Sequence, residues 1–221
     1  MGRWTYALPV VAYLYGSVPF GFIAAKLIKG VDIRQTGSRS IGATNAARVL
    51  GLRFFPVVFL LDLSKGLLPT LAADRSTFAG HYDPGPLVVA TALAAMLGHV
   101  FPLYLRFKGG KAVATSTGVF LVLAPAQLAA AGIAWALMFI VSRYVSLSSI
   151  AAALALVTAV WVSRPHPLGS GLLLTILSTV GGCFVVWLHR GNIRRLLAGT
   201  EHKIGAPRSL DDSPPGTGHR A

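Results

Sequence analysis

Acidic residues are scarce in this sequence. Seven Asp and Glu stand against twenty Lys and Arg, and only 12% of the chain is charged. A soluble domain usually carries about a quarter charged residues, so the surface of the folded chain is not mainly wet. The same scarcity excludes chemistry that needs many carboxylates. No Asp/Glu pair lies among the basic loops to hold magnesium, and His, Asp and Glu do not cluster at metal-ligand spacing, so neither a metal nor another cofactor is implied. The single cysteine, Cys183, excludes an intramolecular disulfide, and its apolar neighbours make it a packing residue. The pattern GxxxxGK[ST] is missing: glycines precede Lys111 and alanine follows it, which argues against nucleotide hydrolysis. No internal repeat is visible either.

What the sequence has is apolar length. Hydrophobic residues make up 54% of it, in runs at about 4–28, 54–73, 86–106, 113–142, 147–163 and 170–188. Most approach the roughly 17–25 residues of a membrane-spanning helix. The first run is too long for a signal-peptide core and lacks a small-residue cleavage site. A net charge of +13 would suit a nucleic-acid binder, but the basic residues sit in short loops between apolar runs. The expected partner is membrane lipid, not nucleic acid, and nothing points to an obligate protein partner.

The fourth run is too long for one crossing and carries Pro125 near its centre, where a helix ends or kinks. Charge decides between one span and two. The loop from Lys29 to Arg53 holds five basic residues and one acid, RFKGGK adds Arg106, Lys108 and Lys111, and the segment after His189 is basic again. Basic loops stay cytoplasmic. A turn at Pro125 puts every basic segment on one side. The expectation is an all-α polytopic protein with seven transmembrane helices, some short, the N-terminus outside and the C-terminus cytoplasmic. Residues 1–205 form a single membrane domain, and 206–221, rich in Pro, Gly and Ser, form a disordered polar tail.

Four polar segments then share one face: GSRSIGATNAAR (37–48), RFKGGKAVATSTG (106–118), RYVSLSSI (143–150) and HRGNIRRLLAGTEHK (189–203). Gly37, Gly42, Gly109 and Gly110 would let backbone N–H groups approach an oxyanion. Ser38, Thr44, Ser146 and Ser148 offer hydroxyls, Asn45 and Asn192 offer amide hydrogens, and Arg48, Lys108 and Lys111 bring charge. Each element has a plainer reading. KGGK serves as well as a positive-inside anchor, the Ser146, Ser148 and Ser149 hydroxyls as a helix cap, and Arg190, Arg194 and Arg195 as a stripe facing anionic headgroups. The concentration of all four on one side is what favours an anion site.

Inside the spans lie Asp62 and Lys65, one helical turn apart. Charges in hydrocarbon must pair or face a polar cavity, and a structural ion pair is favoured over a direct catalytic role. His99 reads as a buried, hydrogen-bonded imidazole rather than a general base.

Five collinear motifs now converge: the segment 37–48, DLSKG (62–66), GHVFPLYLRFKGGKAVATSTG (98–118), SLSSI (146–150) and HRGNIRRLLAGTEHKIG (189–205). Together they resemble the bacterial acyl-phosphate:glycerol-3-phosphate acyltransferases, integral enzymes of the cytoplasmic (inner) membrane. The resemblance implies seven membrane helices and a site facing the cytoplasm. It also implies transfer of a fatty acyl group from acyl phosphate to the 1-hydroxyl of sn-glycerol 3-phosphate, giving lysophosphatidic acid and inorganic phosphate, the first step of phospholipid synthesis. By the same resemblance Ser38, Arg48, Lys111 and Asn192 bind phosphate or position glycerol 3-phosphate, with His189 beside them. Ser146, Ser148 and Ser149 line the acyl-phosphate site, and Glu201 fixes the fold. Two departures stand out: GSRS replaces the usual GSGN, so Arg39 stands for glycine and Ser40 for asparagine, and Ala112 stands where glycine is usual after KGGK.

Acyl phosphate is already activated, so orientation and charge stabilisation suffice. With no carboxylate evident to orient His189, a substrate phosphate oxygen is the favoured proton acceptor. Acyltransferases that use coenzyme A thioesters pair a His with an Asp across four intervening residues, and no His in this sequence has Asp or Glu five positions later. The rival reading is an organic-phosphate transporter or phospholipid flippase, but such proteins place their sites near the midplane and often show repeats.

Overall fold

The computed structural model describes residues 3–77, 84–164 and 166–204. Every regular element among them is helical, as the apolar runs and basic loops lead one to expect. The polar tail expected over 206–221 lies outside the described residues.

Among the described residues ten α-helices follow in order: α1 (Leu8–Gly16), α2 (Phe20–Lys29), α3 (Ala43–Leu50), α4 (Phe54–Thr77), α5 (Pro86–Val100), α6 (Val113–Leu123), α7 (Pro125–Ser142), α8 (Val145–Ser163), α9 (Leu172–Leu188) and α10 (Arg190–Leu197). Prolines punctuate them. Pro86 opens α5 and Pro125 opens α7, where a missing N–H costs nothing. The break at Pro125 falls where the sequence placed it, with Ala124 leaving helical geometry between α6 and α7. Segments Thr5–Lys29, Phe54–Ser76, Pro86–Leu105, Pro125–Ser142 and Val145–Ser163 are each long and apolar enough to cross a bilayer. Helices α9 and α10 pass the same test only together and are bent by 52°, and α6 is apolar but shorter.

Small residues bring the helices into close contact. Gly16 lies against the Ala95 carbonyl and Gly98 against the Tyr13 carbonyl, so α1 and α5 touch backbone to backbone. Gly66 and Gly118 do the same for α4 and α6, meeting the carbonyls of Thr115 and Leu63. This is how membrane helices associate when surrounding lipid is as apolar as their own side chains. The outer surface agrees: Leu27, Val141 and Val162 are 80–84% exposed, a cost in water but not in hydrocarbon. Helix α7 buries only Ala131.

The basic segment 37–48 is more ordered than a loop. An amphipathic helix, α3, covers a small core of Ile33, Ile41, Val49, Leu50 and Val58. The Asn45 side chain holds the preceding turn. Its amide nitrogen lies 2.9–3.0 Å from the carbonyls of Ile33, Thr36 and Ser40, and its Oδ1 accepts the Ser38 N–H at 3.0 Å. Those bonds occupy the amide hydrogens expected to reach an anion.

Candidate active site

Five polar side chains from three parts of the chain form one hydrogen-bonded ladder. The turn before α6 carries Lys111, whose Nζ donates to Asn192 Oδ1 at 2.6 Å. From α10, Asn192 Nδ2 donates to Glu201 Oε1 at 2.7 Å. Ser146, in the first turn of α8, donates its hydroxyl to the same oxygen at 2.9 Å, and Arg195 Nε donates to Glu201 Oε2 at 2.7 Å. Lysine only donates and an ionised carboxylate only accepts. The orientation of the Asn192 amide is therefore dictated by its neighbours.

The electrostatics follow from burial. Burial pushes the Lys111 ammonium down to about 8; Glu201 opposes the shift, and Arg195 and Arg48 add to it. For Glu201, burial pulls upward, but hydrogen bonds from Asn192, Ser146 and Arg195 outweigh it and hold the carboxyl below its ordinary value. Glu201 is thus an ionised hub that fixes two cavity-lining groups.

His189 joins α9 to α10, and its Nδ1 lies 2.8 Å from the Val185 carbonyl. A carbonyl oxygen can only accept, so Nδ1 carries a proton, and in the neutral ring Nε2 keeps its lone pair. The orienting partner that the sequence did not reveal is thus a backbone oxygen, not a carboxylate.

The ladder borders a cavity of about 400 Å³. Ser38, Thr44, Arg48, Lys111, Ser146, Ser149, His189 and Asn192 all line it. The four polar segments therefore converge, although they are scattered through the sequence. Much of the remaining wall is apolar: Phe55 and Phe59 on α4, Leu128, Ala131, Gly132 and Trp135 on α7, and Ala152 on α8. The α7 residues recur at helical spacing and form one stripe. Sequence reading missed this wall, because an apolar residue facing a cavity and one facing lipid look the same in a hydrophobic run.

Some expected ligands stand elsewhere. Lys108 is exposed and does not line the cavity. Gly109 and Gly110 do not cradle an anion with their amides: Gly109 N–H donates to the Val100 carbonyl and Gly110 N–H to the His99 carbonyl, each at 3.1 Å. Ser148 donates back to the Tyr144 carbonyl at 2.8 Å, as a serine within a helix does. Gly37 has φ +59°, and a Cβ there would strike Asn45 Oδ1, so its role is to close the turn. Asn45 lines the cavity, but its amide hydrogens are occupied as described.

Within the membrane-spanning part, Lys65 Nζ lies 2.6 Å from Asp62 Oδ1, with both side chains buried. His99 Nδ1 is 3.5 Å from Lys65 Nζ and 3.7 Å from Asp62 Oδ1. Asp62 and His99 also reach the cavity wall. Both departures from the family pattern at glycine fall in left-handed backbone: Arg39 has φ +56° and Ala112 φ +55°.

Fold and site define a helical membrane protein in which a cationic, hydrogen-bonded cluster meets an apolar cavity wall. Residues 6–199 match the family model described as glycerol-3-phosphate acyltransferase, and the chain belongs to that family. A glycerol-3-phosphate acyltransferase of Desulforamulus reducens is 42% identical over 205 residues, which cover 93% of this chain and 98% of the relative. Among solved structures, PlsY (YgiH), an integral membrane glycerol 3-phosphate acyltransferase, matches in its glycerol 3-phosphate form. That match has a TM-score of 0.82 and 39% identity, and covers 91% of this chain and 96% of the other. The lysophosphatidic acid form of PlsY matches with a TM-score of 0.79 and 38% identity over 91% and 95% of the two chains.

Proposed function

We propose that the protein transfers a fatty acyl group from acyl phosphate to the 1-hydroxyl of sn-glycerol 3-phosphate, releasing lysophosphatidic acid and inorganic phosphate. The observation that carries this reading is the single cavity in which Arg48, Lys111 and Asn192 share walls with Phe59, Leu128 and Trp135. Two anionic groups and one hydrocarbon chain are the reactants such a lining suits.

In this reading Arg48 and Lys111 hold phosphate oxygens, with Ser38 and Thr44 adding hydroxyl donors. Ser146 and Ser149 border the acyl-phosphate end. The glycerol hydroxyl oxygen attacks the carbonyl carbon, the bond from that carbon to the phosphate oxygen breaks, and phosphate departs. His189 Nε2 accepts a hydrogen bond from the neighbouring 2-hydroxyl of glycerol 3-phosphate and so orients the attacking 1-hydroxyl. The hydroxyl proton passes to an oxygen of the substrate phosphate, so no covalent acyl-enzyme forms. Glu201 acts at one remove, keeping Asn192 and Ser146 in place.

The single domain spans 1–205 and crosses the bacterial inner membrane seven times, α6 being a short crossing and 206–221 a polar tail. The N-terminus lies outside, and the cavity opens to the cytoplasm beside the basic segments. The distinguishing experiment supplies purified protein in lipid with glycerol 3-phosphate and either palmitoyl phosphate or palmitoyl-coenzyme A. Lysophosphatidate is expected from the phosphate donor alone. Product from the thioester at an equal rate would overturn the assignment of donor.

A further inference from the structure

The buried imidazole of His99 has no part in the chemistry above, yet it touches the turn that delivers Lys111. A Cβ built on Gly110 would fall inside van der Waals contact of His99 Nε2, with the other ring atoms close behind. Both glycine amides of the turn are tied to the end of α5, Gly109 to the Val100 carbonyl and Gly110 to that of His99. On its far side the ring meets the buried Asp62–Lys65 pair, with Nδ1 3.5 Å from Lys65 Nζ. Asp62 holds α6 as well, because its carbonyl accepts the Thr115 hydroxyl at 3.0 Å. The turn 109–112 therefore runs between two anchors that share one buried cluster.

We infer that His99 is a positioning residue for Lys111: its ring is the wall against which Gly110 seats, and that seat sets where the Lys111 ammonium stands in the cavity. This rests on the reading of Lys111 as a phosphate ligand. The two glycines then have a mechanical explanation. Their missing side chains let the turn close onto the α5 terminus and the imidazole, rather than onto a substrate anion.

The test is reciprocal rescue. Gly110→Ala forces the turn off the ring, and a displacement near 1 Å costs up to about a hundredfold in rate, so KM for glycerol 3-phosphate should rise at least about tenfold. His99→Ala in the same chain removes the obstructing ring and should return KM to within about threefold of the His99→Ala single variant. A purely structural glycine would give no such compensation, because two core defects would add. The expected double variant is better than Gly110→Ala alone; one that is equal or worse, while eluting as folded protein, overturns the inference. Should Gly110→Ala fail to fold, His99→Ala alone provides the reading. A rise in KM for glycerol 3-phosphate with saturated turnover nearly unchanged supports the inference, and an unchanged KM contradicts it. An inactive wild-type protein would instead overturn the acyltransferase reading itself, which keeps the two failures distinct.

Discussion

Lys111 and Asn192 are 81 residues apart in sequence and 2.6 Å apart in space. Their bond joins the turn before α6 to α10 and lets Glu201 act on Lys111 through the Asn192 amide. Most of the site's organisation follows from this link, because it places a cation and an oriented amide side by side on the cavity wall.

Removing the link is expected to be costly. A hydrogen bond to a charged group contributes about 1.5–3 kcal/mol, so Asn192→Ala should lower kcat/KM for glycerol 3-phosphate by about tenfold to a hundredfold or more. Asn192→Asp should do no better, since a second carboxylate would face Glu201. Steady-state kinetics in lipid with acyl phosphate check both.

The alkaline limb of the pH profile should belong to Lys111. Its ammonium, held down to about 8 by burial, is charged below that pH and neutral above it. Log kcat/KM for glycerol 3-phosphate should therefore be level below the limb and fall above it. A bound phosphate favours the charged form, so the limb in kcat should lie at higher pH than the limb in kcat/KM. Lys111→Arg keeps its charge throughout and should lose the limb even where activity is reduced.

Glu201 is a hub for donors, which predicts asymmetric behaviour on neutralisation. Glu201→Gln turns one oxygen into an NH2 group, so it faces at least one of the three donors now served by the carboxylate. The expected result is weaker catalysis and a lower unfolding temperature together, because a buried donor left without a partner costs about 1–3 kcal/mol. Thermal unfolding and kinetics on the same preparation test the pairing.

Of the left-handed residues, Arg39 and Ala112 should respond differently to glycine. Left-handed backbone costs an L-residue roughly 1–2 kcal/mol. Arg39 is exposed, so Arg39→Gly should be stabilising by about 1 kcal/mol. Ala112 is buried in the main core cluster, and losing its methyl forfeits about 0.8 kcal/mol of burial. Ala112→Gly should consequently be close to neutral. Chemical unfolding of both variants in one detergent makes the comparison.

The sequence disclosed more of the site's location than of its wiring. The run 113–142 divides at Pro125 because a ring without an N–H can begin a helix but not continue one, a rule visible in the residue itself. The convergence of Arg48, Lys111, Ser146 and Asn192 was legible because the positive-inside rule assigns their basic segments to one side. The amides of Gly109 and Gly110 were not, since whether a backbone N–H meets an anion or the end of α5 depends on tertiary approach. Asn45 illustrates the same limit: its side chain reads as a donor, but three carbonyls reach it first. Trp135 and Leu128 lie in a stretch, 128–141, where every residue is apolar, so composition gives no sign of which ones face the cavity.

The most direct measurement is lysophosphatidate formation by the purified protein in lipid, with palmitoyl phosphate and glycerol 3-phosphate supplied separately and together, in wild type and in Arg48→Ala and Lys111→Ala. The account predicts product only when both substrates are present, one phosphate released per product, and a loss of about a hundredfold or more in each variant. Wild-type rates in both variants, or no product from a folded wild-type protein, would contradict it.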